Sequence, residues 1–151
     1  MYCKWPLYIV RFMLMTLQLF ELLTGESLFD PAFQTDELDI SEVESHLIQM
    51  IELLGDVPAT LIHAGNSSRR WFTEDGERPR CVIFARAYEY WVGLLRIETT
   101  YYPVSLASIL ERHIERSEVE GTTQFLGTLL RLKPEDRANP EDIIDHEWFS
   151  S

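Results

Sequence analysis

The sequence is poor in the features that usually make chemistry visible. Cysteine occurs twice, at Cys3 and Cys81. That is too few for a disulfide framework, and the two lack the paired spacing of a zinc site. A reducing compartment is therefore the expectation. The seven glycines are scattered, and none falls into G-x-G-x-x-G or G-x-x-x-x-G-K-[ST], the patterns that cradle phosphates. No G-x-S-x-G occurs, so a hydrolase nucleophile has no support. The four histidines, His46, His63, His113 and His146, stand far apart and form no H-E-x-x-H. They read as surface or helix-face residues, not as metal ligands.

Basic residues are also scarce. Thirteen Lys and Arg stand against 25 Asp and Glu, for a formal net charge of -12. A direct nucleic-acid partner would need the opposite surplus. The balance suits basic proteins or peptides, with a solvated acidic surface as the plainer explanation. Long hydrophobic runs are missing too. The apolar stretch from Phe12 to Phe20 is bracketed by Arg11 and Glu21, far short of the roughly 20 residues a membrane span needs. No Ala-x-Ala-like cleavage site follows it. Neither an anchor nor a leader is expected.

What remains is a chain of 151 residues, 46% hydrophobic and 25% charged, enough for one globular domain with a real core. Its patterning is helical. Pro6 to Thr24 reads as a helix apolar on nearly all sides, hence buried, with Gly25 as its stop. Leu28 and Phe29 are expected to anchor the loop that follows. Ser41 and Glu44 have the spacing of a capping box. Val43, Leu47, Ile48, Ile51 and Leu54 then recur at helical spacing up to Gly55. Trp71 and Phe72 are expected to pack inward. A helix carries Leu106, Ile109 and Leu110. Another, over "EGTTQFLGTLLRL", carries Phe125, Leu126, Leu129 and Leu130 and is broken by Pro134. Asn139 caps a last helix with Pro140 at its first position. About six helical pieces, no hairpin and no internal repeat make the fold class mainly α. Paired acids such as Glu74-Asp75 and Glu141-Asp142 sit on turns and helix starts, where solvation or the helix dipole explains them. The residues alone show a helical domain without a visible active site.

Four segments carry a resemblance. "RLKPEDRANPEDIIDHEWF", Arg131 to Phe149, resembles the closing segment of a protein kinase domain. "LFELLTGESLFDP", Leu19 to Pro31, resembles the end of the long central helix of the kinase C-lobe and the loop after it. "SHLIQMIELLGDVPATLIHAGNSSRRWFTEDGE", Ser45 to Glu77, and "YPVSLASIL", Tyr102 to Leu110, are similar to the SR-protein kinase group of serine/threonine kinases. The resemblance implies the helical C-lobe portion of the protein-kinase-like fold, with the N-lobe and catalytic loop absent. It divides the chain into a divergent segment at 1–16 and a partial kinase domain at 17–149. The basic, aromatic block at 78–94 reads as an insertion in that domain, because its removal would join two family-like stretches.

The resemblance also implies roles. Arg137 matches the arginine that pairs, in complete kinases, with the Glu of the Ala-Pro-Glu motif. No such motif occurs here, so solvent or a local acid, Glu135 or Asp136, is its expected partner. Trp148 is the matching structural aromatic. Arg11 and Met13 stand where the family carries Asp and Trp. The Gly-rich loop, the β3 Lys, H-R-D and D-F-G do not occur in these 151 residues. ATP and Mg²⁺ serve the complete family, but no cofactor and no catalytic residue is expected of this chain. The family's Arg/Ser-rich substrates imply basic proteins as partners. Glu74, Asp75 and Glu77 are the candidate docking acids, and the implied location is intracellular, in cytoplasm or nucleus.

Overall fold

The computed structural model describes residues 7–33, 35–65, 68–72 and 100–150, without the side chains at 7–14, 37 and 69. The block at 78–94 and the residues before Leu7 lie outside that description. Among the described residues the secondary structure is helical and contains no strand. Seven α-helices are seen there: α1 (Leu7–Thr24), α2 (Thr35–Leu38), α3 (Glu42–Leu54), α4 (Ala59–Ala64), α5 (Leu106–Leu110), α6 (Arg116–Leu129) and α7 (Pro140–Ile144). Short 3-10 turns at Ser68–Arg70, Pro134–Asp136 and Glu147–Phe149 complete them. The described residues form two compact units, one running from Phe29 to Pro103, the other made of the residues up to Leu28 together with those from Val104 onward.

In the Phe29–Pro103 unit, α3 starts where local chemistry dictates. The Ser41 side chain accepts from the Glu44 N–H, and the Glu44 carboxylate accepts from the Ser41 N–H at 2.9 Å, so two orphan donors of the first turn are satisfied. The helix stops at Gly55, whose φ of 84° is a conformation that side chains with a Cβ avoid. Ile48 and Ile51 of α3 join Ile62 of α4 and Phe72 in a small apolar core. Ile40, Leu47, Val57, Trp71 and Tyr101 pack against it half-buried. Trp71 and Phe72 thus pack inward as their sequence suggests, and Phe29 is buried while Leu28 is half-buried. Val43 departs from the expected face. It lies on the first turn of α3, exposed to solvent.

In the second unit, α6 packs against both α1 and α5. It turns Val119, Thr122, Phe125, Leu126 and Leu129 inward, with Leu110 of α5 and Thr16 and Phe20 of α1 also buried. Two expectations are corrected. The first concerns α1, expected to be covered on all sides. Met15 and Leu22 remain 58% and 83% exposed, because the packing that buries Thr16 and Phe20 covers one face of the helix. The second concerns α6, which begins at Arg116 and ends at Leu129, before Pro134 is reached. Pro134 opens the 3-10 turn that follows. Gly25 terminates α1 at φ 75°, its N–H donating to the Glu21 carbonyl at 2.8 Å.

Candidate functional site

The end of α6 presents carbonyls that have no intrahelical donor. The chain beyond it doubles back to supply donors. The Ala138 N–H reaches the Thr128 carbonyl at 3.0 Å. The Arg137 Nε–H donates to the Arg131 carbonyl at 2.8 Å, and its terminal nitrogen lies 3.5 Å from the Leu132 carbonyl. Arg137 is half-buried, and burial lowers its pKa from the ordinary value by disfavouring the charged form. Guanidinium stays protonated in spite of this, and its charge strengthens the bonds to the carbonyls. Arg137 therefore ties the Pro134–Asp136 turn to the exit of α6. The carbonyl acceptors were not legible in the sequence, which offered only solvent, Glu135 and Asp136.

Trp148 closes the same end of the unit. Its indole N–H donates to the Thr122 hydroxyl at 3.0 Å, and its ring stacks on Phe125 with centroids 4.7 Å apart and planes 3° from parallel. His146 lies edge-on to Phe125 at 4.9 Å, and its Nδ1 accepts the Trp148 backbone N–H at 3.2 Å. Phe149 stands edge-on to both Phe125 and Trp148. Asn139 starts α7 with a capping box to Asp142, and Pro140 occupies the first turn, as their order in the sequence suggests. Arg137 and Trp148 thus serve one structure, the lock that fastens the segment after α6 to that helix. Thr122 is the member the sequence reading missed. It recurs with Val119, Leu126 and Leu129 on the buried face of α6, and that periodicity was the available signal.

The Phe29–Pro103 unit has its own polar clasp. The Gln49 amide accepts the Asp30 N–H at 2.9 Å and donates to the Asp30 carbonyl at 2.7 Å and to Ser45 Oγ at 3.0 Å. Ser45, buried, donates in turn to the Phe33 carbonyl at 3.0 Å. The loop at 30–33 is thereby held on α3. The Glu52 carboxylate accepts the Tyr102 N–H at 2.8 Å across 50 residues of sequence.

His46 lies beside this clasp. Its ring packs on Phe29 at 5.2 Å, and its buried Nε2 has no hydrogen-bond partner among the described residues. Burial lowers its pKa below the ordinary 6.5. The unfolded chain therefore binds the proton more tightly than the folded one. The contribution is fully present above pH 6.5 and is lost as pH falls from there through the folded-state pKa. Melting curves should show stability falling as the pH is taken below 6.5, and His46→Leu should flatten that fall. An unchanged acid limb in the variant would remove His46 as its cause.

Glu74, Asp75 and Glu77, the candidate docking acids, lie outside the described residues. Among the described residues no group of three or more His, Cys, Asp or Glu is placed to hold a metal ion. No described helix is long and apolar enough to cross a membrane. The described geometry comprises a partly exposed polar clasp on α3 and an aromatic lock around Phe125.

No protein-family model matches the chain. Individual relatives do. Serine/threonine-protein kinase SKY1 of Saccharomyces cerevisiae is 26% identical over 133 residues, 87% of this chain. SRSF protein kinase 3 of Homo sapiens is 32% identical over 134 residues, again 87% of the chain. The chain is homologous to a C-terminal stretch of the SR-protein kinases. Serine/threonine-protein kinase SRPK of Physarum polycephalum, 29% identical over 131 residues, agrees. The chain spans only 15% of the yeast SR-protein kinase, 20% of the human one and 27% of the Physarum one. Its all-helical described structure suits the helical C-lobe of that kinase family.

Proposed function

We propose that this chain is a C-lobe segment of SR-protein-kinase descent that holds and presents partners and does not itself transfer phosphate. One observation carries the reading. Similarity to serine/threonine kinases runs over 87% of the chain, yet the sequence holds none of the groups that handle ATP. Phosphoryl transfer needs a Lys on the phosphates, acids and an Asn on Mg²⁺, and an Asp at the attacking hydroxyl. The β3 Lys, D-F-G and H-R-D that supply them do not occur in these 151 residues. The residues present do not fit the nucleotide. Arg137 and Trp148 then act as structural residues that keep the lobe's base folded.

Arg/Ser-rich basic proteins are the proposed partners. The name of the human relative, SRSF protein kinase 3, and the net charge of -12 support this class. Glu74, Asp75 and Glu77 are the proposed contacts, in an intracellular setting. The second reading, a stand-alone interaction module for basic peptides or a parent kinase, is favoured by the same charge. The test is a calorimetric titration of Mg-ATP into the purified chain. No saturable heat is expected. Saturable binding with a dissociation constant near the micromolar range, about -8 kcal/mol, would overturn the reading.

A further inference from the structure

We infer that the loop at 29–33 is an acid-released flap on α3, with the His46 imidazole as its trigger. His46 stands within α3, and its ring lies against Phe29 with centroids 5.2 Å apart and planes tilted by 36°. Its Nε2 is buried and meets no donor or acceptor among the described residues. A neutral imidazole tolerates that place, because it can keep its proton on Nδ1 and leave Nε2 a bare lone pair. Imidazolium cannot, because both ring nitrogens then carry N–H donors. A cationic N–H would be enclosed beside Phe29 with no acceptor, and burying such a group unpaired is costly. Water supplies the acceptor once Phe29 moves aside.

The loop that carries Phe29 is held by bonds that water can replace. Gln49, three residues after His46 and so on a neighbouring line of α3, accepts the Asp30 N–H at 2.9 Å and donates to the Asp30 carbonyl at 2.7 Å, both at exposed groups. Ser45 Oγ holds the Phe33 carbonyl at 3.0 Å. The grip of α3 on α4 is of another kind, an apolar core of Ile48, Ile51, Ile62 and Phe72. Opening the flap therefore uncovers Phe29, 8% exposed when closed, and leaves that core in place.

Neighbouring acids do not rescue the cation. The charged position one turn from His46 on α3 is Glu42, and on the loop packed against it Asp30, whose Oδ1 accepts the Ala32 N–H at 3.1 Å. Both are exposed, and among the described residues neither forms an ion pair with His46. Burial lowers the His46 pKa below 6.5 in the closed loop, whereas the open loop returns the ring to water. The closed form is thus favoured most above pH 6.5, and the open fraction grows as pH falls from there toward the closed-state pKa. The acid sensitivity assigned to His46 above thereby acquires a moving part, independent of the function proposed for the chain.

The test follows hydrogen exchange of single amides by NMR in the full chain, from about pH 8 to about pH 5. Each rate is divided by the intrinsic rate of an unprotected amide at the same pH. The Asp30 N–H, bonded to Gln49, reports the flap, and the Ile51 N–H, inside α3, reports the core. Below pH 6.5 the Asp30 protection should fall by up to about tenfold per pH unit. It should respond little to low urea, because a small opening exposes little surface, whereas Ile51 should exchange more slowly at every pH and accelerate with urea. His46→Leu should remove the acid dependence at Asp30. The inference is overturned if Asp30 and Ile51 share one rate and one urea response, which would assign the acid effect to global unfolding. It is equally overturned if Asp30 protection is level with pH, or if His46→Leu keeps the acid-dependent fall. Should that variant not fold, the two amides of the unaltered chain decide alone.

Discussion

Phe125→Ala is expected to cost about 3–5 kcal/mol, the range for emptying a buried aromatic site, and to release the segment that carries His146, Trp148 and Phe149. Phe125 is 1% exposed. It is the ring on which His146, Trp148 and Phe149 all rest. Its loss leaves a cavity and removes the stacking partner of Trp148, itself worth about 0.5–1.5 kcal/mol for an aromatic pair. The Trp148–Thr122 bond then spans a void. Urea unfolding should show the lower stability, and near-UV circular dichroism should lose the tryptophan signal of the lock before global unfolding. Phe149→Ala provides the contrast. It removes a ring that is more than half exposed and should cost about 1 kcal/mol or less. Equal costs for the two variants would mean that the cluster is not organised around Phe125.

Arg137→Ala should cost about 1.5–3 kcal/mol, the range for hydrogen bonds made by a charged group. The loss is that of the guanidinium's bonds to the Arg131 and Leu132 carbonyls, and water can replace the donor at the exposed Arg131 site, so the lower half of that range is expected. Arg137→Lys is not conservative at this position. One ammonium lacks the rigid fork that reaches two neighbouring carbonyls, so it should recover only part of the loss. The check is chemical denaturation of the three proteins at one pH. If lysine restores full stability, a single diffuse charge suffices and the two-carbonyl account fails.

These two residues show what could be read in the sequence and what could not. The helix ends were legible because their chemistry is local. Ser41 and Glu44 are three residues apart, Asn139 precedes Pro140, and Gly25 and Gly55 stop their helices by their own conformational freedom. The buried faces of α3 and α6 were legible because a 3.6-residue period repeats a side chain on one face. Longer-range partners were not. Trp148 meets Thr122 across 26 residues and Gln49 meets Asp30 across 19. Such pairs follow from the tertiary path, which no local pattern encodes. Arg137 was marked out by the family resemblance, with solvent, Glu135 or Asp136 as its expected partner. Its acceptors were not legible, because backbone carbonyls have no sequence signature.

The exposed face of α1 is a related case. Composition argued for burial on all sides, but composition does not say how many neighbours arrive. Thr16 and Phe20 are buried while Met15 and Leu22 face solvent. The boundary of α6 followed the same logic. Pro134 marked a break, yet the helix ended earlier, where the Ala138 N–H meets the Thr128 carbonyl.

The proposal that this chain does not itself transfer phosphate is tested most directly by incubating the purified chain with labelled ATP, Mg²⁺ and an Arg/Ser-repeat peptide and measuring incorporated phosphate. The account predicts no incorporation above the enzyme-free control at any pH. Stoichiometric, time-dependent labelling of peptide serine, retained through repeated purification, would contradict it. The chain would then have to hold ATP with groups other than those of the kinase family.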